Sequence, residues 1–200
     1  MRGYLEAFGV GEGSHAEGLE NTVKASYAHA EGIGNTINKE AEGSHIEGFA
    51  NEMGGKYSHI EGLENRIEGD LVGIPTAVHV EGHDNKAYRD ADYAHVEGMH
   101  NKVHNPAEFA AGYGNVSTKS SIPSEATLFS IGCGGENALE IKQDGSIAFK
   151  DLHTLTFYEE GSGYISKQKV WDNTYLTQFP ALFSTNKQWF PDKRALNNIK

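Results

Sequence analysis

Six times near the start of the chain a histidine is followed two positions on by a glutamate and then a glycine. The pairs are His15 and Glu17, His29 and Glu31, His45 and Glu47, His59 and Glu61, His79 and Glu81, and His95 and Glu97. Imidazole and carboxylate so placed could hold a borderline divalent ion such as zinc or nickel. The helical order His-Glu-x-x-His is absent, however, and six identical layers point to architecture. Structural hydrogen bonding is therefore the expected role, with no metal and no other cofactor. His-x-Glu also opens the zinc deaminase signature, but that chemistry needs Pro-Cys-x-x-Cys, and Cys133 is the only cysteine. No pattern supplies Cys133 with a base and an orienting third group, so it is expected to be a small residue at a turn. Paired glutamates could serve glycoside hydrolysis, yet identical rows give no environment that would separate an acid from a base. Gly9-Val10-Gly11-Glu12-Gly13 lacks the Lys-Ser/Thr of a phosphate loop. No catalytic residues are expected, and the chain is not expected to be an enzyme.

The elements that must carry these pairs follow from their spacing. The core of the repeat is small-His-x-Glu-Gly-x-x-Asn, with a seventh, decayed copy at Phe109-Ala110-Ala111-Gly112-Tyr113-Gly114-Asn115. Gly-to-Gly intervals are 14, 16, 14, 20, 16 and 14 residues, a 14-residue unit with tolerated extras. That is too short for a helical hairpin and suits one turn of a β-solenoid, two short strands and two turns. Three columns recur between coils and are expected to become packed rows. They are Ala16/Ala30/Ile46/Ile60/Val80/Val96/Ala110, then Leu19/Ile33/Phe49/Leu63/His83/Met99/Tyr113, then Val23/Ile37/Met53/Ile67/Ala87/Val103/Ser117. The Gly is expected where a Cβ would obstruct the backbone, and the Asn at a tight turn or its cap. Extra residues become loops on one flank. On a strand, His and Glu two apart share the face opposite the first column. The fold is an all-β parallel β-roll over residues 1–118 that displays a His/Glu ladder and, being thin, needs partners or caps.

Charge separates this roll from the rest of the chain. Residues 1–118 carry 8 bases and 19 acids, hence −11, against −1 for 119–150 and +1 for 151–200. An acidic surface argues against nucleic acid as a partner. No apolar stretch approaches the ~18 residues of a membrane span. Met1-Arg2-Gly3-Tyr4-Leu5-Glu6 lacks the charged-then-apolar order of a classical signal peptide. Beyond Ser117–Pro123, a Ser/Thr-rich linker, the segments Thr127–Gly132, Ala138–Ile141 and Ser146–Phe149 alternate and are split by turn residues, so 119–150 is a linker and β-meander.

The 14-residue units resemble the head repeats of YadA-type trimeric adhesins. Their Ser-His-x-Glu-Gly wording is similar to repeats in phage and prophage tail-fibre proteins of Gram-positive bacteria. This resemblance, over about residues 5–118, implies a left-handed parallel β-roll that trimerises side by side. In the adhesins the two outward strand positions are apolar and meet partner chains. Here they are His and Glu, so the homotrimer seam is expected to be polar and hydrogen-bonded, built from the twelve ladder residues. The adhesins also carry a secretion signal, a stalk and a membrane anchor, none of which is evident here. Leu128-Phe129-Ser130-Ile131-Gly132 through Ala138-Leu139-Glu140-Ile141-Lys142-Gln143-Asp144-Gly145 also looks like a short module of phage tail and fibre proteins.

Residues 151–200 carry nine aromatics, including both tryptophans. Trp171, Tyr175 and Trp189 could stack on sugar rings or form the core of a small assembly module. The expectation is a non-enzymatic trimeric fibre component of a bacteriophage virion that attaches to a host surface. It would contact other virion proteins and a host cell-surface glycan. The alternatives are a head fragment of a bacterial surface adhesin, placing it on the cell surface, and a polysaccharide-degrading tail spike.

Overall fold

The computed structural model describes residues 8–9, 11–150, 154–159 and 163–169. Every element among them is a β-strand. The His-x-Glu-Gly segments form strands His15–Leu19, His29–Ile33, His45–Phe49, His59–Leu63, His79–His83, His95–Val96 and Phe109–Tyr113, stacked in parallel in chain order. The residues after each Asn form two-residue strands, Thr22–Val23 through Lys102–Val103, in a second parallel sheet. Register is strict: His29 pairs His15 and His45, and Gly62 pairs Gly48 and Gly82. Because like residues stack on like, the coils form a parallel β-solenoid of about seven turns. The extra residues of the longer intervals fall between the short strand and the next His, where Leu71 and Val72 stand out in solvent. They leave both ladders undisturbed.

Two of the three expected columns line the core. Ala30, Ile46, Ile60, Val80, Val96 and Ala110 face Val23, Ile37, Met53, Ile67, Ala87 and Val103, all buried. The remaining column does not. Leu19, Ile33, Phe49, Leu63, Met99 and Tyr113 are 36–49% exposed. The preceding glycines, from Gly18 to Gly112, hold φ between 90° and 113°, so the chain turns before this residue and sends it outward. These glycines are obligatory for a second reason: a Cβ on Gly48 would overlap the backbone carbonyl of Gly62 in the next coil.

The asparagines cap the turn, as one of the two expected roles has it, without adopting its left-handed backbone themselves. The left-handed backbone belongs to the residue before each one, such as Glu20, Ala50 and Glu64. The Asn itself is buried and rivets one coil to the next. Asn65 Nδ2 donates to the carbonyls of Glu61 and Gly82, both at 2.8 Å, and its Oδ1 accepts the Asn85 N–H at 2.9 Å. The same bonds recur at Asn35, Asn85 and Asn101. Backbone groups that a thin solenoid buries at its corner thereby find partners.

The meander extends the roll's own sheet. Thr127–Cys133 lies parallel on Phe109–Tyr113, and Asn137–Lys142 and Ile147–Phe149 continue antiparallel. The long-strand sheet thus continues past its last parallel strand, while the short-strand sheet ends at Lys102–Val103. Residues 1–150 form one compact unit and 151–200 another. In the second unit Thr154–Glu159 pairs antiparallel with Gly163–Lys169.

Candidate functional site

The long strands assemble the ladder that their sequence announced. Inward alternation of Ala30, Ile46 and Ile60 forces His and Glu to the opposite face. Parallel stacking then brings equivalent rings to 4.9 Å between His29 and His45 and 5.0 Å between His45 and His59, their planes nearly parallel at 7° and 13°. The column continues past the last histidine, with Phe109 stacked on His95 and Phe129 on Phe109. Carboxylates lie alongside: Glu17 accepts from or pairs with His15 Nε2 at 3.2 Å, Glu47 approaches His59 Nε2 at 3.5 Å, and Glu97 approaches His95 at 3.7 Å. Even so, Nε2 of His29, His45, His59, His79 and His95 is covered from solvent without a hydrogen bond.

Two features of this surface were not foreseen. First, the apolar row from Leu19 to Tyr113 lies two residues past the glutamates, so an imidazole line, a carboxylate line and an apolar line run together up the rod. The alternation His-x-Glu-Gly-apolar could have revealed it. Second, Tyr27, Tyr57 and Tyr93 project from the turn before each second histidine, 60–69% exposed, at φ of 49–59°. The intervening coils carry Gly13, Gly43 and Ala77 there; a Cβ at Gly43 would come within 2.7 Å of the Tyr57 ring. The Tyr27 and Tyr57 rings therefore rest on the glycine of the coil before them. A groove of about 270 Å³ beside Tyr27 is lined by Lys39, Glu40, Glu42 and Lys56.

A second cluster closes the roll. Glu108 replaces the small residue before the histidine position and is buried; its Oε2 accepts the backbone N–H groups of His104 and Asn105 at 2.9 and 3.0 Å. Burial pushes its carboxyl above the usual range, against the pull of hydrogen bonds from Ser117, His104 and Asn105. Burial likewise lowers the His104 imidazole, aided by Lys119 and Lys102. Cys133 ends its strand exposed and unbridged. Trp171, Tyr175 and Trp189 lie outside the described residues.

Searches with family models, among curated proteins and among solved structures found no match. The surface itself therefore carries the functional reading.

Proposed function

We propose that the chain is a non-enzymatic component of a trimeric bacteriophage fibre that attaches the particle to a host surface. The observation that carries the reading is the apolar row. Six large side chains, Leu19, Ile33, Phe49, Leu63, Met99 and Tyr113, stand exposed in register, with His83 between Leu63 and Met99, on a rod too thin to cover them. At ~4.8 Å per coil they form a line roughly 29 Å long, the form of surface that marks a protein–protein contact. Copies of the same chain offer the matching line at the same pitch, and closed rotational symmetry lets each row meet its equivalent. The seam is then mixed: an apolar strip flanked by the His/Glu ladder, which supplies polar contacts. The phage assignment rests on the resemblance of the repeat and the meander. For adhesion, Tyr27, Tyr57 and Tyr93 are spaced two coils apart on rigid coils and offer flat rings to a sugar polymer; Trp171, Tyr175 and Trp189 remain further candidates.

Light scattering on the full chain tests assembly, with about three times 21.8 kDa expected. Labelling particles with an antibody to the roll, together with a glycan array, tests the rest. A monomer at micromolar concentration overturns the trimer, and an array without signal overturns glycan attachment.

A further inference from the structure

The ladder carries ligand groups that hydrogen bonding leaves unused. One ring nitrogen each from His29 and His45 and one carboxylate oxygen of Glu31 lie within 4.8 Å of one another. All three residues are half-buried. Nε2 of both histidines is shielded from water and meets no hydrogen-bond partner, a costly condition for a polar atom. Geometry holds the groups together without effort: the rings stack at 4.9 Å, and Glu31 projects from the same strand as His29. Two imidazoles and a carboxylate are a donor set for a borderline divalent ion, and they leave a fourth position for water or another side chain. The roll's −11 charge raises the local concentration of cations.

We propose that His29, Glu31 and His45 form a binding site for a divalent transition-metal ion of the zinc class. The site ties two adjacent coils together on the outer face, satisfying nitrogens that the fold buries. A neighbouring group, His15, Glu17 and His29, shares His29 and so competes for it. A third, Glu47, His59 and Glu61, has a single imidazole and is the weaker set. Metal binding at this site requires neither the trimer nor adhesion.

The test is calorimetric titration of zinc into the full chain after removal of metals with EDTA, with bound zinc counted by elemental analysis. One tight zinc per chain is expected, together with a rise in melting temperature. Glu31→Gln keeps shape and should weaken binding by about tenfold or more. His45→Ala should abolish the tight site, and His100→Ala, which removes an imidazole paired with Asp84 elsewhere, should leave it intact. No zinc retained at tenfold excess overturns the proposal, as does unchanged affinity in both Glu31→Gln and His45→Ala. Light scattering on the same samples keeps the readings apart: a monomer that binds zinc sustains this site and overturns the trimer, and a trimer without zinc does the reverse.

Discussion

Asn65 shows how much one side chain can hold in a fold this thin. It satisfies two carbonyls and one N–H belonging to three different residues on two coils. Asn65→Ala leaves those groups buried without partners and should cost about 3 kcal/mol. Glu64→Ala, at the exposed turn next to it, should stay within about 0.5 kcal/mol; equal effects in denaturant melts would contradict the rivet. Glu108 gives a pH signature. Its carboxyl titrates higher in the folded chain than in the unfolded one because it is buried. Between those two values the native state binds more protons, so stability is greatest on the acid side and falls as pH rises through the raised value. In Glu108→Gln that fall should vanish. The stability gap between variant and parent should widen in the variant's favour as pH rises across this window, then level off. A gap constant with pH would show that the carboxylate is not paying for its burial. The sequence pointed to Asn as a turn residue or its cap but not to its bonds with the next coil, and Glu108 looked like one acid among many.

At the scale of the element, the strand His45–Phe49 illustrates both what pattern shows and where it stops. Alternation places His45 and Glu47 outward and Ile46 inward, and all three go where their spacing says. Alternation carried on to Phe49 also points outward, while its hydropathy alone suggests a core residue. Alternation prevails: Phe49 stands outward, just past Gly48 with its φ of 113°. Gly48→Ala should cost on the order of 3 kcal/mol or more, combining left-handed strain with a clash against the next coil's backbone. Gly135→Ala has the same strain but nothing within 4 Å of the new Cβ, so about 1–2 kcal/mol is expected. Thermal melts of the two variants should therefore separate clearly. If they coincide, close approach between coils does not matter.

At the scale of the whole molecule, the exposed row and the second unit can be separated. Replacing Phe49 and Leu63 together with serine changes no core contact, so the roll should stay folded by circular dichroism. The proposed trimer should weaken by about tenfold or more, since each side chain, already about half covered, loses roughly 0.7–1.5 kcal/mol of further burial at the seam. A trimer unchanged in light scattering would place the seam on another face. A chain ending at Lys150 should keep its coils, because it retains both stacked sheets and the meander that covers the last long strand. If residues 151–200 are the assembly module, that chain should lose trimer stability and receptor binding. Unchanged melting and binding would assign both properties to the roll.

Repetition made most of the fold readable. A 14-residue period with recurring His, Glu, Gly and Asn leaves few ways to stack, so strands, register, inner columns and the outward ladder follow from spacing alone. What only the tertiary structure decided are the contacts made between coils. The Asn bonds from coil to coil, the stacked ladder rings and the tyrosines lying on glycines all join positions 11 to 20 residues apart. Their geometry depends on how each glycine turns the chain. A period reveals which residues recur, but not whether a recurring side chain points into its own coil, into the next, or away from both.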